Sequence, residues 1–154
     1  MWYGREVEVV RHKNFHTLRL LKGKPGGGAI LERFILEEWR PKQDIFIIGA
    51  QIGLLCQRNE NYEIYLSVSR NPKLTPSRYF VGLKQDYLFY AQRDVYSLST
   101  GPGDLTKEIF LPSGTGFLIK EGKPVYIKVG AANAASEDLY YDAFCNLYYV
   151  NATE

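Results

Sequence analysis

Tyr62-Glu63-Ile64-Tyr65-Leu66-Ser67-Val68-Ser69 alternates with period two: Tyr62, Ile64, Leu66 and Val68 fall on one side, and Glu63, Tyr65, Ser67 and Ser69 on the other. A strand sends successive side chains to opposite faces, so this run predicts a half-buried β-strand. Val125, Ile127 and Val129 alternate in the same way with Tyr126 and Lys128. Towards the C-terminus Tyr141, Ala143, Cys145, Leu147 and Tyr149 share one face, opposite Asp142, Phe144, Asn146 and Tyr148. Ile45 to Leu55 is apolar almost without interruption, which suits a strand covered on both faces. Weaker strand signals run over Arg5 to Val10, Phe15 to Leu21, Tyr79 to Leu83, Tyr87 to Gln92 and Gly116 to Lys120.

Turn chemistry separates these runs. Gly23-Lys24-Pro25-Gly26-Gly27-Gly28, Arg58-Asn59-Glu60-Asn61, Asn71-Pro72, Thr75-Pro76, Gly101-Pro102-Gly103-Asp104, Pro112-Ser113-Gly114 and Glu121-Gly122-Lys123-Pro124 carry residues that fix or relax φ. About eight to ten short strands at this spacing imply a sandwich or barrel. Ala29 to Trp39 is the ambiguous segment. Ile30, Leu31, Phe34 and Ile35 fall at helical spacing, with Glu32, Arg33, Glu37 and Glu38 opposite. Its apolar set is mostly β-branched or aromatic, so a strand is expected, with a short helix as the alternative.

A chain of 154 residues with 45% hydrophobic residues suits one domain that buries its own core. No repeat or linker divides it, so residues 1–154 are expected to form a single sandwich, with 1–12 as a candidate arm onto a neighbour. The 19 basic and 17 acidic residues leave a net charge of +2. Their signs alternate, as at Arg5-Glu6 and Lys107-Glu108, without the clustered basic face of a nucleic-acid binder. The longest apolar run, Ile45 to Cys56, is broken by Gly49, Gln51 and Gly53 and falls short of the roughly 20 residues of a membrane helix. No signal peptide is visible, and no membrane insertion is expected. Cys56 and Cys145 each sit in a strand-like segment and read as buried free thiols, with a disulfide between neighbouring strands as the alternative. A reducing interior is favoured over a secretory route.

The sequence holds little that resembles catalysis. His12 and His16 would stand roughly 13 Å apart along a strand, too far to share an ion, and no third ligand lies at motif spacing. Gly114-Thr115-Gly116 and Ser69-Arg70-Asn71 lack the surroundings of a nucleophile elbow. Glu37-Glu38 and Glu137-Asp138 are adjacent, so in a strand their carboxylates diverge. The glycines at 26–28 follow their lysine and precede no Ser or Thr, the reverse of a phosphate loop. Asn151-Ala152-Thr153 fits a glycosylation acceptor in a chain without a visible signal peptide, and it is set aside. No catalytic residue, cofactor or metal is expected, and the chain is read as no enzyme.

The aromatic share is the feature with functional content: 14% of residues, including twelve tyrosines. Tyr140, Tyr141, Tyr148, Tyr149, Tyr87, Phe89 and Tyr90 include strand neighbours, so some must face outward. Exposed aromatic patches mark contact surfaces. Tyr87, Tyr90, Tyr126, Tyr140, Tyr141, Tyr148 and Tyr149 are therefore the candidate subunit-interface or ligand-contact residues. A sugar-stacking platform is the alternative use, with hydrogen-bonding groups from the loops at Arg58 to Asn61 and Ser99 to Asp104.

Leu111-Pro112-Ser113-Gly114, the run from Gly116 to Ile127 through Lys120-Glu121-Gly122-Lys123-Pro124, and Leu147-Tyr148-Tyr149-Val150 resemble the closing strands of small jelly-roll proteins of bacteriophages and other viruses. These include capsid decoration, head-fibre and receptor-binding domains, which are similar to trimeric tumour-necrosis-factor-like sandwiches. Asp44 to Leu55 is similar to an early strand of the same sandwiches, and residues 1–40 lie outside the likeness. The resemblance implies a homotrimer in or on a virion, with aromatic strands near the threefold axis and other virion proteins as partners. It implies no site residues. The expectation is thus an all-β, antiparallel jelly-roll or β-sandwich serving as a non-catalytic virion structural protein. A carbohydrate-binding module is the alternative, with the cytoplasm as the alternative location.

Overall fold

Residues 6–11, 15–23, 30–58, 61–73, 87–94 and 105–152 are described by a computed structural model. Ten strands lie among them: β1 (Glu8–Arg11), β2 (Phe15–Leu20), β3 (Ile30–Trp39), β4 (Ile45–Cys56), β5 (Tyr62–Ser69), β6 (Tyr87–Asp94), β7 (Leu105–Phe110), β8 (Phe117–Ile119), β9 (Val125–Asn133) and β10 (Leu139–Asn151). Among the described residues, no helix is long and apolar enough to cross a membrane. The expected strand at Tyr79 to Leu83 falls outside those residues.

The pairing order identifies the architecture. One sheet runs β1-β10-β4-β7, with β2 also on β10 and β8 also on β4; the other runs β3-β9-β5-β6. β1 pairs with Asn146 to Tyr149 and β2 with Leu139 to Ala143, so the two lie end to end along one edge of β10. β7 and β8 share the free edge of β4 in the same manner. Taken as single strands, these tandems leave eight in chain order. First then pairs with eighth, second with seventh, third with sixth and fourth with fifth, every pair antiparallel. That is one long hairpin rolled up on itself, the jelly roll.

Local sequence explains where the pattern was clear and where it blurred. In β4 the inward residues are Ile45, Ile47, Ala50, Ile52, Leu54 and Cys56, a parity that changes between Ile47 and Ala50. The register jumps from Tyr148↔Gly49 to Tyr149↔Ile47, so Ile48 is the extra residue of a bulge. Two registers in one strand make the run look continuously apolar. β3 does the same at Leu36, between Ile35↔Lys128 and Glu37↔Ile127. The segment that mimicked a helix is therefore an edge strand. Phe34, Leu36 and Trp39 pack against the core, while Leu31 and Ile35 are exposed. The turn at Glu121-Gly122 is formed as expected. Gly122 takes a left-handed φ of 76°, its N–H donates to Pro41 O at 2.9 Å, and the Glu121 N–H donates to Asp44 at 2.8 Å.

The core fills the space between the sheets with aliphatic side chains, among them Ile52, Leu54, Ile64, Leu66, Ile127 and Leu147, all fully buried. Each contributes roughly 1.5–3 kcal/mol over its exposed state. Buried polar side chains also link the layers. Tyr141 in β10 donates to Glu32 in β3, and burial together with that carboxylate raises the phenol's pKa. Arg93 in β6, fully buried, donates to the carbonyls of Leu54 at 3.4 Å and Cys56 at 3.0 Å. Its guanidinium also lies 5.4 Å from the centre of the Tyr62 ring. The partner strand β7 begins opposite Leu54, so these acceptors lie where the ladder on that side of β4 ends.

Both cysteines are free thiols and buried. Burial pushes the Cys145 pKa up to about 12. Iodoacetamide at about pH 8 should therefore leave Cys145 unmodified in the folded chain and alkylate it in urea, as read by peptide mass. Replacing Arg93 by Met strands two buried carbonyls and should cost about 3 kcal/mol in urea unfolding. Arg93→Lys, which keeps a cation with one donor centre, should recover part of that loss.

Candidate functional site

The two sheets present very different outer faces. In the second sheet every residue of β5 and β9 is buried. The strands expected to be half-buried are thus covered on both sides, and the outward row of Glu63, Tyr65, Ser67, Ser69, Tyr126 and Lys128 is shielded along with the inward one. Two of its polar groups are met within the chain: Tyr65 donates to Glu63, and Lys128 donates to the carbonyl of Pro72. Desolvation lowers the Lys128 pKa. Tyr87 is buried beside the half-buried Tyr90, ring centres 5.6 Å apart. Of the candidate contact tyrosines, Tyr87, Tyr126 and Tyr141 are therefore buried and present little surface to a partner.

The first sheet carries its outward residues in open rows. One row reads Val9, Tyr148, Gly49, Phe110 across β1, β10, β4 and β7. The next reads Arg11, Asn146, Gln51, Glu108, and the third Phe144, Gly53, Thr106. In the first row Tyr148 and Phe110 stand two strands apart yet stack, with centres 5.2 Å apart and planes inclined by 17°. They meet because Gly49 between them has no side chain. A Cβ there would lie 2.6 Å from Ile109 O and 2.7 Å from Phe110 Cδ1. Gly53 likewise provides the floor under the Phe144 ring. Tyr148 donates to Glu108 at 2.8 Å, and the Asn146 amide donates to Gln51 at 3.0 Å. Burial, with Glu108 second, raises the Tyr148 pKa. Phe110 remains 56% exposed and Val9 44%, a flat apolar patch beside a polar row.

Tyr149 faces inward at the end of the same strand, its ring 5.5 Å from Trp39 beside a small groove of about 340 Å³. Tyr140, 52% exposed, lies at the far end of β10 on a larger groove of about 610 Å³. Arg58 holds that groove's rim. It donates to Asn133 Oδ1 and to the carbonyls of Glu137 and Asp138, while the Asn133 amide donates to Leu21 O and Glu137 O. Arg19 pairs with Asp138 at 2.8 Å. Nothing in the sequence pattern announced this network, because its members are far apart along the chain. His12 and residues 99–104 lie outside the described residues, as does the side chain of His16. Among the described residues no three His, Cys, Asp or Glu side chains are grouped to hold a metal.

The two glycines should respond differently to a methyl group. Gly53→Ala meets only the edge of the Phe144 ring, which can swing outward, whereas Gly49→Ala meets a backbone carbonyl of β7. Thermal unfolding should show Gly49→Ala as the costlier change, within the roughly 1–3 kcal/mol typical of overpacking.

Neither a protein-family model nor a curated protein matches the chain. Solved structures match it at low identity. The BFDV capsid protein as a 60-mer is 10% identical with a TM-score of 0.46, over 96% of this chain and 94% of that one. Its decameric form is 12% identical with a TM-score of 0.43, over 94% and 98%. The infectious bursal disease virus Gx strain structure is 9% identical with a TM-score of 0.42, over 99% of this chain. This chain spans only 33% of that protein's length. Scores of this size describe a loose likeness of shape, and nothing about function follows from them.

Proposed function

We propose that this chain is a structural subunit of a virus particle, a decoration or attachment component built as a homotrimer. In this reading the outer face of the first sheet joins the copies. One observation carries it: the outward residues of β5 and β9 are already buried, which among the described residues leaves only edge-strand residues such as Leu31 and Ile35 exposed on the second sheet, while the first sheet leaves Val9, Phe110 and Tyr148 together on an open face. An apolar face of this kind is stabilised when a partner covers it. The space between the sheets is filled by aliphatic side chains, so a partner must be met at the surface.

Two further points support the reading. Jelly rolls serve widely as capsid domains, and the stretches 111–127 and 147–150 resemble the closing strands of small virion proteins. Fold alone does not fix function, so the weight rests on the face. The role is one of assembly, with other virion proteins as further partners, and it involves neither catalysis nor nucleic acid.

Light scattering after size exclusion tests it. The expected species is a trimer that holds across a concentration series and changes little with salt, because the contact is apolar and the ring closed. Phe110→Asp and Val9→Asp should weaken association by at least about tenfold while leaving the melting temperature of the subunit nearly unchanged. A chain that stays monomeric at high micromolar concentration, or a trimer indifferent to both substitutions, would sink the proposal.

A further inference from the structure

We infer that the larger groove, between the end of β4 and the start of β10, binds a neutral saccharide. Its floor and walls are Cys56, Gln57, Arg58, the turn at Glu137 and Asp138, and Tyr140. About 610 Å³ falls within the range of small-ligand sites. The rim is preorganised, since Arg58 is bonded at once to the Asn133 side chain and to the carbonyls of Glu137 and Asp138. Asn133 is itself fully buried and tied to Leu21 O at 2.9 Å.

The groups left over after that bonding define the ligand. Tyr140 offers a ring that is 52% exposed. Both bonds from Arg19 go to Oδ2 of Asp138, so Oδ1 has no partner among the described residues. The exposed side chains of Gln57 and Glu137 also have none there. An aromatic ring takes the C–H face of a pyranose, carboxylate oxygens accept from hydroxyls, and an amide serves as donor and acceptor. Charge narrows the class. Arg19 and Arg58 stand against Glu137, Asp138 and Asp142, and both guanidiniums already donate to groups of the chain. A phosphate, sulfate or sialic acid would face the carboxylates with no free cation among the described residues that line the groove to receive it.

The site is independent of the assembly reading. Tyr140 and Tyr148 lie eight residues apart on β10, roughly 26 Å at strand rise, so a saccharide at one end leaves the apolar patch open.

Glycan-array binding by the full chain, followed by saturation-transfer NMR on the hits, tests the inference. The array should carry neutral, sialylated and sulfated saccharides, and a lysine-rich peptide should be titrated in parallel. Binding to neutral glycans is expected. Tyr140→Ala should weaken it by at least about tenfold, Gln57→Ala should weaken it measurably, and Tyr148→Ala should leave it intact. An array without hits, hits confined to acidic glycans, affinity unchanged by Tyr140→Ala, or a groove that takes the peptide instead would each overturn it. Tyr140 and Gln57 are exposed, and an unchanged melting temperature in the variants would confirm that lost binding is not lost folding.

Discussion

The antiparallel ladder between β4 and β10 is the constraint on which the sandwich is built. These are the two longest strands, and they run together from Ile45↔Asn151 to Cys56↔Tyr141 in the middle of the first sheet. Every other strand of that sheet pairs with one of these two. The ladder also fixes which side chains look inward, because a one-residue slip would turn Cys145, Leu147, Ile52 and Leu54 to the outside. The bulge at Ile48 is the single place where the count changes. It lets Ile45 and Ile47 reach the core alongside Ala50 and Ile52, and its carbonyl receives the Leu111 N–H at 2.9 Å where β7 ends. Beyond the other end of β7, Arg93 reaches across the sandwich to the carbonyls of Leu54 and Cys56. Burying that guanidinium is acceptable because it is bonded and stacked on Tyr62.

The same ladder explains why the two outer faces diverge. β4 supplies Gly49 and Gly53 to the outward rows, so the aromatic side chains of β10 and β7 have somewhere to lie. The rings of Phe110 and Phe144 lie within reach of the space that a side chain at Gly49 or Gly53 would fill. On the second sheet the outward row of β5 and β9 is polar and tyrosine-bearing, yet it is closed off, with Lys128 desolvated and bonded to Pro72. A tyrosine-rich sequence thus divides its aromatics into three uses: packing between the sheets at Tyr141, shielding at Tyr87 and Tyr126, and display at Tyr140 and Tyr148.

Much of this could be read in the residues before any coordinates. Period-two alternation located β5, β9 and β10, and it assigned the inward face of β10 correctly from Tyr141 to Tyr149. The strand expected over Ala29 to Trp39 from its β-branched content is found at Ile30–Trp39, and the helix-like spacing arose because the outward Leu31 and Ile35 are apolar although exposed. β7 gave no comparable signal. Lys107 stands in the inward row opposite Ile52, interrupting the alternation, as edge strands tolerate because that position still reaches water. The outward rows were harder still. Alternation says which residues share a face but not what covers it, so the shielding of Tyr126 and Tyr87 could not be foreseen. The groove network was out of reach for a different reason: Arg19, Arg58, Asn133 and Asp138 come together only after the hairpin has rolled.

The irregularities in the strands have a consequence for how such a chain associates. Among the described residues each of the four sheet edges is interrupted. β1 gives way to β2, β7 to β8, β3 is bulged at Leu36, and β6 slips register between the partners of Val68 and Ser69. An unbroken edge is a template on which a second chain can extend the sheet without limit. Among the described residues, regular spacing along these edges runs for about six residues before the pattern fails. Growth by strand addition is therefore discouraged on every side, and contact is steered towards faces, where symmetry can close. A protein arranged in this way is biased against fibre-like growth through its sheet edges.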